Sequence, residues 1–312
     1  MADYKELWHN PSNDDDFDSK PVLVESLAQL VQQICRNDPS GASCTKYDAI
    51  LVDEGQDFQP SWWQTLRLAL KRGGEMVLVA DKTQNIYATA AKWTEEAMEK
   101  AGFSGSWNQL KTSYRLPPSI VPLVQQFAEQ FLTDEDIDIP ETQQQGVQMD
   151  LFPAELRWLH VREPSNALRA CDHELRRMMC QPHTDTAVAD ITFLSGKKMG
   201  RAFVEMQRQT KNLKMLHTFD EDTTQSRRQK RAFFQGNAQI KATTVHSFKG
   251  WEARRLIVFV SSMESTEDKA VLYTALTKLR GHEHGSCLTV VSCCDELRPY
   301  ASSRWWPNYE EF

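Results

Sequence analysis

The chain has 312 residues, 40% of them hydrophobic, which is enough for one large core or two modest ones. A formal net charge of -7 excludes a protein that coats nucleic acid through a uniformly basic surface, while leaving room for a local basic groove. Seven cysteines, including the adjacent Cys293 and Cys294, show no small-secreted-domain spacing; this excludes a disulfide framework and suits a reducing compartment.

The first twenty residues are polar and acidic, through Asp14, Asp15, Asp16 and Asp18, and read as a flexible lead-in without an apolar signal core. No apolar run spans a bilayer, so a soluble, cytoplasmic protein that makes no membrane contact is expected. From Pro21 to Arg36, the residues Val24, Leu27, Val31 and Ile34 recur at helical spacing and predict a core-facing helix. The runs Ala49 to Val52 and Met76 to Ala80 each end in acid, the pattern of buried parallel strands. Between them Trp63, Leu66 and Leu70 predict an amphipathic helix that Gly73 and Gly74 terminate.

Past Pro117 and Pro118, a second helical face runs through Ile120, Val124, Phe127 and Phe131, and Thr133 to Gln148 reads as an acidic, Gln-rich surface loop. Strand-like runs follow at Leu156 to Val161, Ile191 to Leu194, Ile240 to Thr244, Leu256 to Val260 and Leu288 to Val291, most of them separated by helical patterns. Strands alternating with helices predict an α/β fold with a parallel sheet covered on both faces. A break near Leu110 divides the chain into a lead-in over 1–20, a first lobe over 21–109 and a second over 110–312.

Five segments carry chemistry. Asp53 and Glu54 close the apolar run before Gly55, Gln56 and Asp57, at the strand end where parallel sheets bind ligands. Adjacent acids there can hold a hydrated Mg²⁺ and direct a water, the division of labour phosphoryl transfer requires; the plainer reading is an acidic turn after a strand. The second run leads to Gln84, whose amide can contact a phosphate, and then to Trp93. Tyr114 beside Arg115 can stack on a base and grip a phosphate, or simply open the next helix. Thr244, His246, Lys249, Gly250 and Glu252 follow a strand with hydroxyl, imidazole, cation, turn and acid in turn. Lys278 and Arg280 place cations at the end of a helical pattern.

In this order the five segments resemble helicase motifs II to VI of the UvrD/Rep type of superfamily 1, over Tyr47 to Ser292. The resemblance implies two RecA-like lobes with parallel sheets, of the P-loop NTPase kind, and a motor that uses ATP and Mg²⁺ to move 3′ to 5′ on single-stranded DNA, with RNA left open. It makes Asp53 the Mg²⁺-associated acid, Glu54 the general base and Gln84 the sensor of phosphate state. Tyr114 would stack on adenine, Arg115 would reach the γ-phosphate, and Glu252 would contact the ribose beside Gly250. Lys278, where the family carries arginine, and Arg280 would complete the nucleotide site. Thr244 and His246 would face the nucleic-acid strand, as would Trp93, because the family's stacking tryptophan aligns with Thr89.

Nothing from Met1 to Lys46 matches the family's Gly-rich loop ending in Gly-Lys-Thr, so the resemblance implies an incomplete first lobe. Two readings stay open: an ATPase whose loop comes from further sequence or from a partner protein, and a helicase-like scaffold that binds nucleic acid or a partner without hydrolysis. Between Lys197 and Arg231, ten Lys/Arg face four Asp/Glu, which makes either a phosphate-tracking surface or a solvated charged face. His282, His284, Cys287, Cys293 and Cys294 match no common zinc spacing, and Trp305 with Trp306 would cap the core or dock a partner.

Overall fold

The structure, a computed structural model, describes residues 29, 31–33, 46–55, 58–80, 102, 108, 115–132, 153–180, 187–220, 229, 232–233 and 238–312. The chain divides into two compact units, residues 1–108 and 109–312. The expected loop over Thr133 to Gln148 and the lead-in lie outside the described residues.

The first unit is built on a strand-helix-strand crossover: β1 (Tyr47–Val52), α1 (Pro60–Arg67) and β2 (Leu70–Leu78). The strands are parallel and in register from Ala49 opposite Glu75 to Val52 opposite Leu78. Pro60 opens α1, where its fixed φ is helical and its missing N–H has no intrahelical acceptor to lose. The helix turns Trp63 onto Val52 and Leu78, and these three form the buried cluster of the unit. Residues 29 and 31–33 are helical, and the rest of the helix expected from Pro21 to Arg36 is not described. The Gln32 side-chain amide donates to Thr65 Oγ1 on α1 at 3.0 Å.

Two expectations are corrected here. The strands are buried on one face only, since Leu51 and Val77, which pair across the sheet, are 76% and 47% exposed. Among the described residues α1 covers just the opposite face. Gly73 and Gly74, expected to stop the helix, instead lie inside β2, and α1 ends at Arg67. The reason is a bulge: Tyr47 pairs with Leu70 and Ala49 with Glu75, so residues between them loop out. Gly73 takes φ 79° there, and a Cβ on Gly74 would stand 2.7 Å from the Asp48 carbonyl oxygen.

The second unit runs α2 (Val121–Phe131), β3 (Glu155–His160), α3 (Ala167–Met179), β4 (Ile191–Leu194), α4 (Lys197–Lys211), β5 (Leu216–His217), β6 (Lys241–Thr243), β7 (Arg255–Val260), α5 (Thr266–Leu276), β8 (Cys287–Ser292), α6 (Arg298–Arg304) and β9 (Tyr309–Glu311). Its seven strands are parallel in the order β5-β6-β4-β7-β8-β3-β9. Side chains alternate between the faces of a strand, so neighbours enter different cores. Trp158, Val258 and Val290 pack with α2, α5 and α6, while Leu159, Ile257 and Val291 pack with α3 and α4. Both faces are covered, as the near-continuous apolar runs require. Trp305 is buried against Trp158 with ring centroids 5.2 Å apart, whereas Trp306 is 76% exposed. Among the described residues, no helix is long and apolar enough to cross a membrane.

Candidate nucleotide and nucleic-acid sites

At the carboxyl end of β1 the chain turns through Asp53, Glu54 and Gly55. Val79 N–H donates to the Val52 carbonyl at 2.8 Å, and Gly55 N–H donates to the Val79 carbonyl at 2.7 Å, which pins the turn to the end of β2. No side chain fits at Gly55, because a Cβ would lie 2.5 Å from Leu78 Cδ1 and 2.9 Å from the Val79 carbonyl oxygen. Glu54 occupies the left-handed region at φ 54°, a conformation that costs a non-glycine residue about 1–2 kcal/mol. Backbone strain of this kind persists where the surroundings fix it and concentrates at functional sites. Asp53 is exposed, and its Oδ1 accepts from the Glu54 N–H at 2.8 Å.

In the second unit, backbone hydrogen bonds join three segments distant in sequence. Ala253 N–H donates to the Lys278 carbonyl at 3.0 Å, and Arg280 N–H donates back to the Ala253 carbonyl at 2.9 Å, forming a parallel bridge between Ala253 and Leu279. Gly281 N–H donates to the Arg115 carbonyl at 2.8 Å, and Ser286 Oγ donates to the Arg280 carbonyl at 2.5 Å. Arg115, Glu252 and Arg280 are thereby gathered beside the start of β7 and β8. The Arg115 guanidinium lies 2.6 Å from Glu252 Oε1, with the arginine side chain 70% exposed and the glutamate 23%. Lys278 is buried, at 5% exposure, whereas Arg280 is exposed. Nearby, burial and then the charges of Arg254 and His284 hold the His282 imidazole below its ordinary pKa.

Thr244 and His246 stand elsewhere, just past the carboxyl end of β6. Thr244 Oγ1 accepts from the Ser247 N–H at 3.2 Å, which shapes the short helical turn His246–Phe248. His246 Nε2 is 3.6 Å from Glu267 Oε1, in the first turn of α5. Gly250 follows at φ 76°; a Cβ there would meet nothing within 4 Å, so glycine suits the backbone rather than the space. Helix α5 therefore ties the two groups together. Its amino end, closed by a Ser265–Asp268 capping box, stands by His246, and its carboxyl end leads into the bridge with Ala253.

Gln84, Trp93 and Tyr114 lie outside the described residues. Three residues to which the sequence assigned no role belong to these groups: Gly55, Gly281 and Glu267. Glycine directly after an acid pair and directly after Arg280 was a usable signal for the first two, because backbone approaches closely at both. Nothing in the sequence pairs Glu267 with His246. Among the described residues no group of three His, Cys, Asp or Glu could hold a metal ion. Cys287, at the start of β8, instead accepts from the Arg177 guanidinium at 3.4 Å, and burial pushes its thiol pKa up to about 11.

Residues 2–91 match the family model of the UvrD/REP helicase N-terminal domain. That stretch, under a third of the chain, is similar to the UvrD-type helicase domain. The match contains the Asp53–Glu54 turn and begins at residue 2, so it takes in the acidic segment that composition alone sets apart. Among solved structures, the C-terminal domain of a possible DNA helicase from Lactobacillus plantarum WCFS1 resembles this chain at 11% identity and a TM-score of 0.38, over 64% of this chain and 99% of that one. At that similarity the fold rests on the chain's own strand order, an α/β arrangement of parallel sheets compatible with RecA-like lobes. No curated protein matches the chain.

Proposed function

We propose that the chain is the core of an ATP-dependent UvrD-type motor that moves 3′ to 5′ along single-stranded DNA. The phosphate-binding loop that residues 1–46 do not carry comes from another segment or polypeptide. The observation behind this reading is the gathering of Arg115, Glu252 and Arg280 by the bridge between Ala253 and Leu279, in a chain whose other unit matches the helicase family.

The residues present fit Mg²⁺ and a nucleotide in chemical type. Asp53 is a solvent-facing carboxylate at a strand mouth, and Mg²⁺ usually keeps several waters and takes one or two protein carboxylates. When bound, the Mg²⁺ complex of ATP supplies the phosphoryl group whose transfer to water drives movement. Glu54, fixed by its turn, accepts the proton of the attacking water. Gln84 reads the phosphate state, and Tyr114 stacks on the base. Arg115 offers a planar fork of donors to phosphate oxygens, Arg280 adds an outward charge, and Glu252 accepts from a sugar hydroxyl beside the Gly250 turn. Lys278, expected beside the γ-phosphate, is buried behind the bridge at 5% exposure, and in this reading it acts by positioning the bridge. Thr244, His246 and Trp93 hold the strand.

Phosphate release by the full chain, with and without single-stranded DNA, tests the proposal. Release that rises with DNA and falls at least about a hundredfold in Glu54→Gln is expected, the loss typical of removing a general base. The buried Lys278 favours a second reading, a scaffold that binds without hydrolysis. DNA binding with no release above buffer, unchanged in Glu54→Gln and not restored by adding a polypeptide that carries the family's Gly-rich loop, would establish the scaffold instead.

A further inference from the structure

The ion pair between Arg115 and Glu252 joins two groups that the proposed function assigns to different parts of one ligand. Both backbones are anchored, Arg115 through the bond from Gly281 N–H and Glu252 through its neighbour Ala253 in the bridge. Only the side chains are left to move, and the arginine is 70% exposed. A carboxylate and a phosphate present the same kind of oxygen to the guanidinium fork, so they compete for it.

We infer that Glu252 is an internal competitor for Arg115 and thereby sets the ligand specificity of this site, favouring a nucleotide over a bare polyphosphate. This rests on the nucleotide reading above. An incoming phosphate takes the guanidinium and releases the Glu252 carboxylate. A ligand that also carries sugar hydroxyls gives that carboxylate a new donor, whereas inorganic polyphosphate leaves it without one. Nucleotide binding exchanges partners; polyphosphate binding only breaks a pair.

Equilibrium binding of inorganic tripolyphosphate and of ATP to the full chain tests this. Glu252→Gln is expected to tighten tripolyphosphate binding about two- to fivefold, the range for losing one exposed ion pair, while ATP binding stays level or weakens. Adding Arg115→Ala is expected to erase that gain. If Arg115→Ala weakens binding but Glu252→Gln leaves tripolyphosphate unchanged or weaker, the competitor role is overturned and the nucleotide reading stands. If Arg115→Ala alters neither ligand in either background, Arg115 faces no phosphate and both fail. A second measurement needs no ligand: Arg115 modification by phenylglyoxal, followed by mass spectrometry, should quicken in Glu252→Gln if the carboxylate shields it. An unchanged rate in a protein with native circular dichroism contradicts the inference.

Discussion

Glu54 and Gly55 divide a task that a single residue could not perform. The glutamate carries the strain and, in the proposed function, the chemistry, and the glycine lets the turn press against β2, where a methyl group would overlap Leu78 and the Val79 carbonyl. Gly55→Ala is therefore expected to destabilise the first unit by about 1–3 kcal/mol, the usual cost of overpacking, and denaturant melts monitored by tryptophan fluorescence will measure it. A melt matching wild type would mean the turn relaxes freely. The acid pair itself was legible, because an apolar run ending in two carboxylates is a local pattern. The left-handed backbone was not, because it is imposed by hydrogen bonds to Val79, a residue on another strand. The burial of Lys278 was likewise illegible in its motif, because it is set by packing against residues distant in sequence.

Among elements, the second unit's central strands could be read to within a residue or two, since each is apolar on both faces and bounded by helical patterns. β9 gave no such signal. It has three residues, two of them acidic, and it is held at the sheet edge by Glu310 with Arg157 and by Glu311 with Arg162 and Arg298. Arg157 and Arg162 are about 150 residues away in sequence, so no local pattern announces the strand. β9 also lies along His160, whose carbonyl accepts from the Phe312 N–H at 2.8 Å. The His160 imidazole is buried, and burial outweighs the nearby Asp295 carboxylate to hold its pKa below the ordinary 6.5. The unfolded chain then takes up the proton first as pH falls, so this contribution to stability is present above about pH 6.5 and fades below it. The Tm of the second unit should drop between pH 7 and pH 5, and drop less in His160→Gln. Equal drops in both proteins would remove His160 as the cause.

At the scale of the molecule, the family match and the gathered cations fall in different units, 1–108 and 109–312, and each unit was anticipated unequally. The parallel α/β character followed from alternating strand and helix patterns. The bulge at Gly73 and the half-covered sheet of the first unit did not, because which face is covered depends on what packs there and not on the strands' own residues. Within the second unit, α5 spans the distance between the group at His246 and the group at the Ala253 bridge. In the proposed function, a single helix touching both couples their occupancies, and such coupling is reciprocal.

The most direct test of a nucleotide-responsive grip is the Kd of the full chain for fluorescent single-stranded DNA, measured by anisotropy with and without ATP and Mg²⁺. A several-fold shift on adding nucleotide is expected, absent in Arg115→Ala, with a coupling of about 1–3 kcal/mol in line with other linked sites. A Kd that ATP leaves unchanged in the unmodified chain would contradict the motor reading.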